Sequence, residues 1–227
     1  MKLKILKKVF RDTLPILGAY LVLGMGFGVM LMSKGFGLGW SVASCLIIYA
    51  GSMQYLAIEM ITAGASLLSI ALTSFMVNAR HFFFGISMVD AYKNTGIAKP
   101  YLIYGLTDET YSLVCNTPEL DEKESKGYYF WVTLIDQLYW LGSCALGSLV
   151  GSIVSFNTEG IDFALTALFL TVFVEQWLSS QEHSTALTGL LGSALCLLIF
   201  GPDSFLIPSM LLIILILSIK RKKGAVQ

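Results

Sequence analysis

Long apolar runs separated by short polar and glycine-rich stretches make up most of the chain of 227 residues. Four of these runs contain no charged side chain: 14–33, 35–58, 60–79 and 137–158. A helix needs about 20 mainly apolar residues to cross a bilayer, because the hydrocarbon core is about 30 Å thick and each residue rises about 1.5 Å. The pattern therefore predicts an all-α protein whose helices cross a membrane repeatedly.

Glycine, proline and charged residues divide the chain into eight candidate segments. They lie near 14–33, 40–61, 66–89, 101–115, 130–155, 162–178, 186–200 and 203–219. The fourth and seventh segments are short for a complete crossing, so we expect some segments to be broken or re-entrant. Six crossings remain an alternative to eight. We interpret residues 1–227 as a single transmembrane domain, a polytopic helical bundle.

Composition and charge agree with a membrane protein. Hydrophobic residues make up 56% of the chain and charged residues 13%, with a mean hydropathy of +0.73, whereas soluble domains are roughly 25% charged. The net charge of zero argues against a broad basic surface for nucleic acid. Basic residues concentrate in 1–13 and 220–227, which we interpret as cytoplasmic tails because lysine and arginine favour that side. Two cytoplasmic tails require an even number of crossings.

A short internal echo links the two halves of the chain. The sequence Leu23-Gly24, followed by Gly28, recurs as Leu146-Gly147, followed by Gly151. Small residues four positions apart let two membrane helices approach closely. Internal repeats are also typical of secondary transporters. The echo is consistent with two ordinary packing faces or with a duplication, and both interpretations stay open.

The first polar group inside an apolar segment lies in the run Tyr49–Tyr55. Gly51 and Ser52 leave room for a close helix approach or a local unwinding, and Gln54 offers an amide donor and acceptor. An unwound helix at this depth exposes backbone amides and carbonyls to a substrate's charged groups. We therefore treat Gly51, Ser52 and Gln54 as candidate substrate-binding residues, with a simple close helix crossing as the alternative.

The second polar group is Asn78-Ala79-Arg80-His81, near the centre of the third segment. Because a guanidinium keeps its proton, Arg80 inside a membrane must meet an anion, carbonyl groups or water. Asn78 and Arg80 are candidates for binding a substrate carboxylate, and a fixed ion pair between Arg80 and Asp108 is the alternative. His81 is a candidate proton carrier or a hydrogen-bonding residue between helices.

The third polar group, at residues 105–110, contains Asp108 and Glu109 in the short fourth segment. Adjacent residues point about 100° apart on a helix, so the two carboxylates are expected to do different jobs. Both are candidates for binding a substrate ammonium and for proton coupling. If the segment is an interfacial loop, both are simply solvated. Asp136 is a weaker candidate, because we place it near the start of the fifth segment, where side chains reach headgroups.

Several chemistries have no motif in the sequence. There is no GxxxxGK[ST] nucleotide-binding loop, no HExxH, no histidine pair at zinc spacing and no GxSxG upstream of a candidate histidine and aspartate. We therefore expect a protein that is not an enzyme, without catalytic residues, cofactor or metal site.

The three polar motifs, in this order and spacing, resemble the AzlC family of branched-chain amino acid exporters. The resemblance is strongest from about Gly24 to Thr110. It implies a multi-pass protein of the bacterial inner membrane that exports valine, leucine, isoleucine and in some cases methionine. It also implies a partner, a small membrane subunit of the AzlD type.

The sequence and the resemblance together predict a secondary exporter. Since the chain has no nucleotide-binding motif, we expect the proton gradient to drive it, with His81, Asp108 and Glu109 relaying protons. A passive channel for small solutes and the permease subunit of an ATP-driven transporter are the alternatives. We expect the apolar part of the substrate pocket to be lined by Met53, Tyr55, Phe82 and Phe83.

Overall fold

The computed structural model describes residues 2–115, 120–153, 166–167, 170, 173–174, 177–178, 183–201 and 205–224. All regular secondary structure in these ranges is helical, which confirms the predicted class. The chain divides into two compact units, Met1–Leu165 and Thr166–Gln227. Each unit is described by itself.

The first unit contains seven α-helices in the residues that the structure describes. They are α1 (Lys2–Ser33), α2 (Leu38–Ile47), α3 (Gly51–Thr62), α4 (Leu67–Ser87), α5 (Lys99–Tyr104), α6 (Asp108–Val114) and α7 (Glu122–Ile153), with a 3-10 turn at Gly96–Ala98. The second and fourth predicted segments are therefore each broken into two helices, α2–α3 and α5–α6. Short breaks of this kind are tolerated in a membrane only where protein covers them or water reaches them.

The second unit contains α8 (Ser184–Phe200) and α9 (Leu206–Gly224) within its described residues. The two helices pack against each other, and Nζ of Lys220 donates to Oγ1 of Thr188 at 3.0 Å. Most of the sixth predicted segment, 162–178, lies outside the described residues.

The predicted basic tails are largely helical. Residues 2–13 belong to α1, and Val9 and Thr13 are fully buried against the rest of the unit. Tyr128 of α7 donates to Oδ2 of Asp12 at 2.9 Å, which fixes this end of α1. At the other terminus, α9 continues through residue 224. The predicted boundary at residue 13 marked a change in composition, and the helix passes through it.

Helices α1 and α7 form the central contact of the first unit. Built onto Gly24, a Cβ atom would lie 2.6 Å from Cβ of Ser143, and one on Gly28 would overlap the backbone of α7. In return, a Cβ atom on Gly147 would overlap the backbone of α1 at Met25. The echoed glycines thus pack against each other. The contact positions advance together along both helices, so α1 and α7 run in the same direction.

Apolar side chains cover much of the outer surface. Two helices in the described part of the chain are individually long and apolar enough to cross a membrane, Lys4–Ser33 and Leu67–Ser87. Large apolar side chains of α4 point outward, with exposed fractions of 86% for Leu67 and 76% for Phe75. Such a surface is unfavourable in water and favourable in lipid.

We predict that Gly147→Ala destabilises the protein by about 1–3 kcal/mol, because the added methyl group overlaps the backbone of α1. Gly142→Ala is the matched control on the same helix, since a Cβ atom there meets nothing within 4 Å. It should be neutral or slightly stabilising, as alanine favours a helix more than glycine does. Thermal unfolding of the purified proteins in detergent measures both. Equal midpoints for the two variants would contradict the packing argument.

Candidate functional site

The first helix break separates α2 from α3 at residues 48–50. Tyr49 has φ of 40°, a left-handed conformation that non-glycine residues rarely adopt and that marks strain at functional sites. The hydroxyl group of Tyr104 donates to the carbonyl oxygen of Leu46 at 2.7 Å, which satisfies one exposed end of α2. The break lies just before Gly51, whereas the sequence suggested a close approach or unwinding at Gly51 and Ser52. Helix α3 therefore presents its N-terminal amides at this point.

The second helix break separates α5 from α6 at residues 105–107. The side chain of Thr107 caps α6 by accepting a hydrogen bond from the amide of Thr110 at 3.3 Å. A Cβ atom on Gly105 would overlap Thr133 of α7, so glycine is required for the break to lie this close to α7. Asp108 and Glu109 occupy the first turn of α6, where negative charge is favourable.

Arg80 of α4 joins the starts of α3 and α6. Its Nη2 atom donates to Oγ of Ser52 at 2.8 Å and lies 3.0 Å from Oδ2 of Asp108. Both charged side chains are 30% exposed, so the pair remains accessible. The sequence left two partners open for Arg80, a substrate carboxylate and Asp108. In this structure Arg80 is paired with Asp108. Its Nε atom is buried and has no hydrogen-bond partner among the described residues.

A cavity of about 130 Å³ lies where the two breaks meet α4. It is lined by Ile48, Tyr49, Ala50, Asn78, His81, Ile103, Tyr104 and Leu106. Its volume is close to the roughly 150 Å³ of an engineered cavity that binds benzene. The Oδ1 atom of Asn78 is buried and finds no hydrogen-bond partner in the part of the chain that the structure describes. Asn78 and His81 thus contribute to a cavity whose wall is both polar and apolar.

Gln54 is tied into the protein interior. Only 1% exposed, it accepts a hydrogen bond from Nε1 of Trp140 at 2.8 Å and donates to Oγ of Ser44 at 3.0 Å. Gly51 lies against the same Trp140 ring, which a Cβ atom would meet at 3.0 Å. These contacts hold α2, α3 and α7 together. The structure therefore places Gln54 and Gly51 beneath the first break, and not on the cavity wall.

None of the four residues predicted to form the apolar part of the substrate pocket lines this cavity. Met53 and Tyr55 are buried in the helix packing, at 4% and 2% exposed, and Tyr55 donates to the carbonyl oxygen of Leu23 at 2.6 Å. Phe82 and Phe83 are 70% and 64% exposed on the outer side of α4. The lining comes instead from residues at the breaks, because a broken helix turns side chains inward that helical periodicity assigns elsewhere.

Glu109 and Asp136 belong to a second polar cluster, which the sequence did not reveal. Tyr20 of α1 donates to Oε2 of Glu109 at 2.9 Å, and Thr110 donates to Oδ2 of Asp136 at 2.9 Å. Asp136 is fully buried, so the prediction that it reaches headgroups near a span end is wrong. Helix α7 begins at Glu122, which moves Asp136 towards the middle of the helix. The sequence gave no reason to select Tyr20 as a site residue, because it lies in a run without charged side chains.

These features define a class of molecule: an α-helical integral membrane protein with a polar site at two helix breaks. Within the described ranges, no three His, Cys, Asp or Glu side chains are grouped closely enough to hold a metal ion. The family model described as "AzlC protein" matches residues 15–154, which include both breaks and the side chains around them. The chain belongs to the AzlC family, as its motifs predicted.

Relatives match almost the whole chain. The branched-chain amino acid transport protein AzlC of Bacillus subtilis (strain 168) is 41% identical over 217 residues, 95% of this chain and 85% of the relative. An uncharacterized membrane protein of Helicobacter pylori (strain ATCC 700392 / 26695) is 38% identical, covering 97% of each. Inner membrane protein YgaZ of Escherichia coli (strain K12) is 28% identical, covering 87% and 81%. No solved structure matches this chain.

We predict that Arg80 and Asp108 stabilise each other by about 1 kcal/mol, the upper end of the range for exposed pairs, because neighbouring helices partly shield them. Thermal unfolding of Arg80→Gln, Asp108→Asn and the double variant gives this coupling. The pair Lys34 and Glu59, 3.2 Å apart with side chains 34% and 45% exposed, is the matched control and should couple more weakly. Additive effects at Arg80 and Asp108 would refute the prediction.

Proposed function

We propose that this protein is a secondary exporter of branched-chain amino acids, and of other apolar amino acids such as methionine, in the cytoplasmic membrane of a bacterium. The cavity at the meeting point of the two helix breaks carries the proposal. A small cavity with several apolar side chains in its wall, within two residues of a partly exposed cation and anion, suits a solute that is zwitterionic at one end and branched at the other. The 41% identity to a branched-chain amino acid transport protein supports the same substrate class.

Each part of such a substrate has a group that suits it. The cavity accommodates the side chain, because its walls at Ile48, Ile103 and Leu106 are apolar. Arg80, Ser52 and the first amides of α3 offer donors for the carboxylate. The residues Gly51 and Gln54 set the position of this helix start through Trp140.

The ammonium group needs acceptors, and three lie close to the breaks. Asn78 lines the cavity and its Oδ1 atom has no partner among the described residues, and Asp108 and Glu109 supply carboxylates at the start of α6. In this structure Arg80 and Asp108 pair with each other. A bound amino acid replaces that pair with two others, its carboxylate on Arg80 and its ammonium on Asp108. The exchange leaves no charge unpaired, which keeps the cost of binding inside a membrane low.

Proton coupling is part of the proposal. The sequence has no nucleotide-binding motif, so an ion gradient is the available energy source. His81 lines the cavity, and Asp108 and Glu109 begin α6 beside it. These three side chains can exchange protons with a solute path.

The proposed topology has eight crossings with both termini in the cytoplasm. Because α1 and α7 run in the same direction, an odd number of crossings must lie between them. The broken pair α2–α3, α4 and the broken pair α5–α6 supply three, which supports this topology. A small AzlD-type membrane subunit is the proposed partner. The outward apolar side chains of α4 suit contact with lipid.

We predict that Ala50→Leu lowers leucine export by about tenfold, equivalent to about 1.4 kcal/mol, because the larger side chain fills the cavity. Valine export should fall less, since the smaller side chain needs less of the space. Ala71→Leu on the exposed surface of α4 is the matched control and should export both at the normal rate. Efflux from cells loaded with each amino acid, with the small subunit co-expressed, measures this. Unchanged leucine export by Ala50→Leu would exclude this cavity as the side-chain site.

We also predict that uphill export stops when a protonophore collapses the proton gradient, while exchange of internal for external leucine continues. Exchange needs only binding and the conformational change, whereas accumulation needs an energy source. Proteoliposomes containing the protein and its small subunit separate the two reactions. Accumulation that persists without a proton gradient would rule out proton coupling.

A further inference from the structure

A line of hydrogen-bonded oxygen atoms leads from α6 to the interior of α7. Tyr20 of α1 donates to Oε2 of Glu109 at 2.9 Å and lies 3.3 Å from Oγ1 of Thr107. Thr107 donates to Thr110 at 3.3 Å, and Thr110 donates to Oδ2 of Asp136 at 2.9 Å. Three hydroxyl groups therefore connect two carboxylates on different helices.

The two ends of this line differ in accessibility. Glu109 is partly exposed, whereas Tyr20, Thr107 and Thr110 are buried and Asp136 is 0% exposed. Glu109 is therefore the most accessible of the described members of this line. The hydrogen-bonded line thus begins at the partly exposed Glu109 and ends at the buried Asp136.

Asp136 is an unusual residue to bury. Oδ2 accepts from Thr110, but Oδ1 is buried and has no partner within the described residues. No basic side chain of the described ranges lies within ion-pair distance of it, and Arg80 is already bonded to Asp108 and Ser52. An ionised carboxylate in this position lacks the compensation that burial requires. The free Oδ1 atom is where a proton would be held.

We propose that Asp136 is the buried proton acceptor of the transport cycle, loaded from Glu109 through the hydroxyl groups of Tyr20, Thr107 and Thr110. The inference rests on the proposed function, proton-coupled export. It adds to the three candidates seen in the sequence a carboxylate that the solute never touches.

The transfer follows from the hydrogen bonds as they stand. When Glu109 gains a proton from the solute path, it becomes the donor to Tyr20, whose own proton is then free to pass to Thr107. Thr107 passes its proton to Thr110, and Thr110 passes its proton to Asp136. Four O–H bonds break and four form, so each hydroxyl ends with one proton. Glu109 is again ionised, and Asp136 is neutral.

The titratable groups that face Asp136 come from every element around it. Glu109 of α6, Tyr20 of α1, Tyr49 of the first break and Tyr101 of α5 interact with it electrostatically, as does Tyr128 on its own helix. A tyrosine hydroxyl is un-ionised near neutral pH. Glu109 is therefore the neighbour whose charge opposes a charge on Asp136, and the two carboxylates favour sharing one proton between them.

Asp136→Asn tests the proposal, because the amide oxygen still accepts from Thr110 while the side chain can no longer gain a proton. In proteoliposomes with the small subunit, we expect leucine exchange within about twofold of normal and gradient-driven accumulation reduced about tenfold or more. Thr110→Val should show the same separation, and Thr110→Ser should restore accumulation. Ser143→Ala is the matched control on α7, since the Ser143 hydroxyl group donates to the carbonyl oxygen of Tyr139 on its own helix.

Two results would overturn the proposal. Normal accumulation by Asp136→Asn would show that Asp136 carries no proton in the cycle. Loss of exchange together with accumulation, in Asp136→Asn protein that unfolds at the normal temperature, would show that Asp136 only positions the helices.

A second measurement does not depend on transport. In infrared spectra of the purified protein, we expect a protonated carboxyl band that titrates with pH and is missing from Asp136→Asn. If Asp136→Asn retains the whole band, the proposal fails. If the band titrates but the unmodified protein transports no branched-chain amino acid, the proposed substrate fails and the buried acceptor stands.

Discussion

The close contact between α1 and α7 is the constraint on which the rest of the first unit depends. Gly24, Gly28 and Gly147 remove side chains from this interface, so the two backbones meet directly. Tyr20 on α1 and Asp136 on α7 then lie near enough to bond to the broken segments beside them. A larger residue at any of these glycines would push α1 and α7 apart. The polar contacts that Tyr20 and Asp136 make would then be disrupted as well.

Helix breaks inside a membrane leave backbone groups that lipid cannot satisfy, and this requirement explains much of the polar structure. Tyr104 donates to the end of α2, and Thr107 caps α6. Arg80 binds side chains at the starts of both α3 and α6, through Ser52 and Asp108. Of these residues Tyr104 also lines the cavity, and each of the others lies within two positions of a lining residue in the sequence.

The sequence predicted the helical class, and it offered the pairing of Arg80 with Asp108 as one of two alternatives, because charges that enter a membrane need partners. It did not predict that Gln54 is bonded to Trp140, nor that Asp136 is fully buried. Those facts depend on which face of α7 meets α3 and α6, and hydropathy along one chain carries no information about facing helices. We predicted that the fifth segment begins near residue 130, because charged residues precede it. The helix includes those charged residues and begins at Glu122.

The seven-residue helix α6 connects the two polar clusters. Its first residue, Asp108, pairs with Arg80, and the next, Glu109, turns about 100° away to meet Tyr20. Any displacement of α6 that separates Asp108 from Arg80 must therefore also change the contact at Glu109. Under the proposed function, a substrate that takes Arg80 from Asp108 alters the environment of the carboxylate that receives the proton. Coupling then needs no long pathway, because one rigid turn of helix belongs to both sites.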